Sequence, residues 1–276
     1  MNKLRLAAGL LLAAWLTGCA SPPPADRPAV SGIVWQVDNA TVDPRGSWQL
    51  LGASELLIQW TVVDDTSFVA GSGLPAAPVL PDWKRIASEP WAREVIVGLA
   101  GRFDEARARA DVAELGRASA RLARIPMPLN ISGWYFPVEI DPTWADGGKL
   151  KAVLDSLPRP LWVSAYDSAN LGPEELAAKL AQWLPSDVGV FFQDGVGVHA
   201  RDAHTARHYA DVLAKRLGKQ RVRIIVEAFR PGPGSGFRAA TAEEIAGQLR
   251  HYTGYKTYLF DGPHYVPDST VQELLR

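Results

Sequence analysis

The chain has 276 residues, 47% hydrophobic, 9% aromatic and 21% charged, a composition that excludes a disordered tail, a fibrous repeat and a disulfide-stapled miniprotein. Lys and Arg number 29 against 30 Asp and Glu, a formal charge of −1, which leaves no electrostatic case for nucleic acid as a partner. There are ten Trp and a single Cys, so no disulfide can form within the chain.

Residues 1–18 read as a leader to be removed, not as fold. Lys3 and Arg5 give a positive start, and Leu6–Leu16 is an apolar run too short for a bilayer span, which needs about 20 residues. Leu16-Thr17-Gly18-Cys19 follows and resembles the lipobox of bacterial lipoproteins. The resemblance implies cleavage before Cys19 and lipidation of its thiol. Residues 19–29 form a Pro-rich tether through Pro22-Pro23-Pro24 and Pro28. Ala20, where retention in the inner membrane favours Asp, implies a lipid anchor in the outer membrane facing the periplasm. Loss of Lys3 and Arg5 takes the mature charge from −1 to −3.

Residues 30–276 alternate short apolar runs with helical patterns, which predicts a parallel α/β sheet. Eight runs are strand-like: Gly32–Val37, Glu55–Val63, Glu94–Ala100, Ile131–Ile140, Pro160–Tyr166, Val188–Gln193, Arg221–Ala228 and Lys256–Phe260. Continuous apolar stretches such as Val188-Gly189-Val190-Phe191-Phe192 suit strands buried on both faces. Helices are expected over Asp104–Ile125, from Pro173 to Trp183, over Asp202–Leu217 with Gly218 closing it, and after a capping box at Thr241–Glu244. Trp83–Arg93 is a marginal helix, and the first crossover, Asp43–Ser54, is short. Eight βα units predict a single (β/α)8 TIM barrel. An open doubly wound sheet is the alternative, but Val37-Asp38-Asn39-Ala40 carries no glycine-rich phosphate loop.

In such barrels chemistry gathers at the C-terminal strand ends. Those ends supply Gln59, Trp60, Trp134, Tyr135, Tyr166, Gln193, Asp194 and Asp261, among others. Aromatic faces stack on sugar rings and carboxylates or amides pair with hydroxyls, so the expected ligand is a polysaccharide held by these eight residues, with no cofactor. Glu139 and Glu227 follow apolar runs at the ends of the fourth and seventh strands. Glycosidic hydrolysis needs two carboxyls flanking the bond, and these two are the catalytic candidates.

Strand-four and strand-seven glutamates resemble the large retaining-glycosidase clan, which implies Glu139 as acid/base and Glu227 as nucleophile, although Val138 stands where the clan's commonest motif has asparagine. Leu57-Ile58-Gln59-Trp60-Thr61, Gly133-Trp134-Tyr135-Phe136-Pro137-Val138-Glu139, Phe192-Gln193-Asp194-Gly195-Val196-Gly197 and Val226-Glu227-Ala228-Phe229 together resemble the bacterial "domain of unknown function 4434" family. That resemblance implies a glycoside-hydrolase-like barrel and a glycan of the cell surface, periplasm or exopolysaccharide as substrate. The alternative is a non-catalytic glycan-binding lipoprotein serving polysaccharide biosynthesis or export machinery. His204 and His208 have metal-compatible spacing but sit on a predicted outer helix, so no metal site is expected. Pro231-Gly232-Pro233-Gly234-Ser235-Gly236 reads as a flexible loop over the cleft.

Overall fold

The computed structural model describes residues 29–234 and 236–276. The leader, Cys19 and the tether up to Pro28 lie outside the described residues. Eight parallel strands close into a barrel: β1 (Gly32–Trp35), β2 (Glu55–Ile58), β3 (Glu94–Gly98), β4 (Ile131–Ile140), β5 (Leu161–Ala165), β6 (Val188–Gln193), β7 (Val222–Glu227) and β8 (Thr257–Phe260). Each pairs with its neighbours in sequence, and β1 closes on β8 through Gly32 opposite Tyr258. Every one of the eight strand-like runs contributes a strand. The second run is longer than its strand, because Val62–Val63 turns aside into a small sheet with Thr66–Ser67 and Ala100–Gly101.

The interior of the barrel takes one large residue from each strand: Val34, Leu57, Ile96, Tyr135, Trp162, Phe191, Ile225 and Tyr258. Because successive side chains alternate faces, the residues between them point outward and join the larger core beneath the helices. Trp162 fits inside because Gly189 on β6 has no side chain: a Cβ there would stand 2.2 Å from the indole.

At the N-terminal end, Glu55 plugs the barrel. It accepts from Lys256 Nζ (2.6 Å) and Arg223 Nη1 (3.0 Å) and from the Tyr258 hydroxyl. Burial opposes its charge, but these three partners hold the carboxyl below its ordinary range. The Arg223 guanidinium also lies 3.9 Å from the Trp162 ring centroid, closing that end with a cation–aromatic contact.

The helical layer comprises α1 (Trp83–Ala87), α2 (Glu105–Ala110), α3 (Val112–Leu122), α4 (Leu150–Asp155), α5 (Pro173–Trp183), α6 (Ala203–Leu217), α7 (Ala242–His251), α8 (Gly262–Tyr265) and α9 (Asp268–Leu274). The first crossover has only a single 3-10 turn, Trp48–Leu51. The expected helix over Asp104–Ile125 is two helices, broken at Asp111, whose ψ of 9° is not helical. Asp104 caps α2 through the Arg107 N–H, and the Thr241/Glu244 capping box opens α7. Phe229–Pro231 pairs antiparallel with Phe237–Ala239, so the described residues flanking the Gly/Pro stretch form a two-stranded ribbon.

Candidate active site

The C-terminal end of the barrel is closed below by the interior layer, and above it lie Gln59, Gln193 and Phe260. With Val34, Leu57, Tyr135 and Ile225 they line a small space of ≈ 20 Å³, about the size of one water. Gln59, Gln193 and Phe260 each stand two residues beyond an inward-facing core residue, so strand alternation alone aims them at the mouth.

Glu139 stands four residues beyond inward-facing Tyr135 on β4, where the register with β5 shifts between Phe136 and Ile140. Its Oε2 accepts from Gln193 Nε2 at 2.5 Å. Its Oε1 lies 3.4 Å from Arg109 Nη2, and Arg109 Nε donates to its backbone carbonyl at 2.9 Å. Burial pushes the Glu139 carboxyl above its ordinary value, while the Gln193 amide and the Arg109 cation pull it back.

Glu227 ends β7 and is 4% exposed. Its Oε2 accepts the backbone N–H of Gly197 (2.7 Å) and Val198 (3.2 Å), in the turn after β6. Gly197 is required there, since a Cβ would stand 2.6 Å from the Glu227 Cβ and 2.9 Å from Phe229 O. Burial, and next the charge of Asp194, push Glu227 up to about 8. Both influences favour the protonated form of Glu227, against the two backbone N–H donors.

Asp194 is wholly buried with both oxygens engaged. Oδ2 accepts from Gln248 Nε2 (2.8 Å) and the Tyr252 hydroxyl (2.9 Å), and Oδ1 accepts from the N–H groups of Val196 (3.2 Å) and Glu227 (3.3 Å). It braces Glu227 and offers nothing to a sugar. Asp261, also buried, accepts on Oδ2 from Gln36 N (2.8 Å) and from His264 Nδ1 (2.9 Å). The other His264 nitrogen meets Asp38 Oδ2 at 3.1 Å. The bond to Asp261 raises His264 to about 9, so the imidazolium sits between two carboxylates. Asp261 Oδ1 and Gln59 Oε1 are buried acceptors with no donor among the described residues. Unpaired buried acceptors are costly, and a bound water is what would satisfy them.

The four aromatics expected to stack on sugar separate into three groups. Tyr135 is interior core, donating its hydroxyl to Ser164 Oγ at 2.7 Å and meeting Phe191 edge-on. Trp60 and Trp134 point outward: Trp60 is 4% exposed and donates to Val37 O, and Trp134 packs against the helix-side core. Tyr166 alone stands at the mouth. Its phenol is raised to about 12, first by burial and then by Glu227, with Glu139 also contributing. The Arg201 guanidinium lies 5.2 Å from its ring centroid. The aromatic faces open to solvent are instead Phe103, 69% exposed on the rim after β3, and Phe237, 51% exposed on the hairpin after β7. Phe103 could have been read from Gly101-Arg102-Phe103 at a strand end. Phe237 carries no strand-end signal.

No family model matches the chain. The uncharacterized protein YbcH of Escherichia coli is 24% identical over 246 residues, covering 76% of this chain and 80% of YbcH. Among solved structures, a "putative alpha-L-fucosidase" from Bacteroides thetaiotaomicron superposes with a TM-score of 0.58 at 16% identity, covering 98% of this chain and 97% of the other. A family 18 chitinase from Crocus vernus gives a TM-score of 0.42 at 12% identity over 88% of this chain and 95% of its own, a score too low to argue from. The chain thus has a (β/α)8 barrel fold.

Proposed function

We propose that the protein hydrolyses glycosidic bonds in a bacterial exopolysaccharide or another periplasmic or surface glycan, using Glu139 and Glu227 as the two carboxyls. The observation that carries this reading is that β4 and β7 deliver two glutamates, Glu227 buried and Glu139 partly exposed, to one end of the barrel, both tied to the end of β6. Gln193 holds the first, and the turn beginning at Asp194 holds the second. Tyr166 lies in the field of both. The resemblance to the family of unknown function named above and the fold shared with the solved barrel support the same reaction class.

The charges around the pair favour a division of labour opposite to the one that resemblance to the retaining clan implies. Glu139 has an amide donor and a guanidinium beside it, both of which favour its carboxylate. Glu227 has two N–H donors and the more distant Arg201 cation, but the carboxylate beside it outweighs each of them and favours its acid form. On this reading Glu227 protonates the leaving oxygen and Glu139 attacks. Tyr166, Phe103 and Phe237 supply faces for the sugar rings. No step requires a cofactor. Trapping with a 2-deoxy-2-fluoro glycoside of a sugar the protein cleaves, followed by peptide mass spectrometry, tests the order. Label on Glu139 agrees with the charge argument, and label on Glu227 restores the clan order. A glycan that binds with no reducing ends released from it supports instead the non-catalytic, export-associated reading.

A further inference from the structure

Helix α2 brings two charged side chains to the back of Glu139 that neither the fold nor the strand-end pattern singles out. Glu105 opens the helix and Arg109 lies one turn on, on the same face. Glu105 Oε2 accepts the backbone N–H of Glu139 at 3.1 Å. Arg109 takes the backbone carbonyl of the same residue and reaches its carboxylate. One helical turn therefore grips the N–H, the C=O and the side chain of a single residue.

We propose that Glu105 is a positioning residue that shares a charge state with Glu139: the two carboxyls titrate as a pair around Arg109, Glu139 losing the first proton and Glu105 keeping the second. This deepens, and rests on, the assignment of Glu139 to the reaction. The groups facing the pair are few. On α2 and its cap they are Asp104 and Arg109. On β4 and the residue after it they are Tyr135 and Asp141, on β6 Gln193, and after β5 Tyr166. Arg109 is the one cation among them, and it can offset one carboxylate but not two. Burial and the neighbouring Glu139 push Glu105 up to about 8, in keeping with a second proton that leaves late. With one proton held between the two carboxyls, the Glu105–Arg109–Glu139 unit carries one negative and one positive charge, and the Gln193 amide and the Arg109 cation favour the negative charge on Glu139. Glu105 keeps accepting the Glu139 N–H on one oxygen while carrying its proton on the other.

The pair can be tested without a substrate. Carboxyl-13C-labelled glutamate in the folded barrel gives a resonance for Glu139 whose pH titration is followed by NMR and assigned by its loss in Glu139→Gln. The expected curve has two inflections, the later near 8. Glu105→Gln, which still offers an oxygen to the Glu139 N–H, should remove the later inflection and leave one. Arg109→Gln should raise the midpoint of Glu139 by about one unit, because its cation favours the ionised form. A later inflection that persists in Glu105→Gln overturns the proposal. If Glu105→Gln fails to fold, a Glu139 midpoint unmoved in Arg109→Gln overturns it alone. Paired titration in a protein that cleaves no glycan would uphold this inference while defeating the proposed activity, so the two failures are distinguishable.

Discussion

Strand alternation decides which side chains meet the mouth. Tyr135 points inward, so Glu139, four residues on, can as well, whereas Trp134 cannot. Leu57 points inward, and so does Gln59, which turns Trp60 out. That parity was legible in the runs themselves, and selecting aromatics by their nearness to strand ends ignored it. Trp134→Ala should therefore lower thermal stability, by about 2 kcal/mol or more, while leaving glycan affinity in the folded fraction unchanged. Affinity loss at unchanged melting temperature would contradict the placement. Burial of Glu227 has a pH consequence with a definite sign. Its folded pKa is raised to about 8 from the ordinary 4.5, so its contribution to stability is full below about 4.5 and is lost as pH rises through 8. Glu227→Gln should be as stable as the parent near pH 4 and more stable at pH 8, by on the order of a few kcal/mol. Calorimetry across that window checks it, and parallel curves for the two proteins would contradict it. As the proton donor, Glu227 should also give an activity that declines as pH rises through about 8.

The β6 end is the element that assembles the site, since its adjacent residues Gln193 and Asp194 reach Glu139 and the backbone of Glu227. The turn that follows depends on Gly197. Gly197→Ala should push Glu227 from its two N–H donors and reduce turnover at least tenfold, with KM changed less than kcat. Near-parental turnover would show that Glu227 does not need that cradle. Eight strands were legible because buried parallel strands need apolar runs, and the caps at Asp104 and Thr241 were legible because they satisfy free N–H groups locally. The break at Asp111 was not, since buried Ala108 before it and Val112 and Leu115 after it keep a helical spacing across it. Nor was the grip of Glu105 and Arg109 on Glu139, which joins residues 34 and 30 apart in sequence through a barrel that must close first. The paired aromatics Phe229 and Phe237, 4.7 Å apart across the hairpin, are hidden for a similar reason: the intervening Gly/Pro stretch masks the pairing.

At the scale of the molecule, the barrel has a plugged end and a working end. The chain enters at the plugged end, where Ala29 O accepts from Thr257 Oγ1 at the start of β8. The ten residues from Cys19 to Pro28 reach at most about 35 Å. A lipid on Cys19, as the lipobox resemblance implies, would attach through the plugged end and leave the mouth unobstructed by the tether. Cys19→Ser should move the protein from the membrane to the soluble fraction with the barrel intact, and continued membrane fractionation would contradict the anchor. The central claim is that two glutamates at the open end cleave a glycosidic bond. Its most direct test is reducing-end release from a panel of bacterial exopolysaccharides and periplasmic glycans by the parent, Glu139→Gln and Glu227→Gln, each shown to be folded. The account predicts release by the parent from at least one glycan and a loss of a thousandfold or more in both variants. Release that survives either substitution at the parental rate would contradict it.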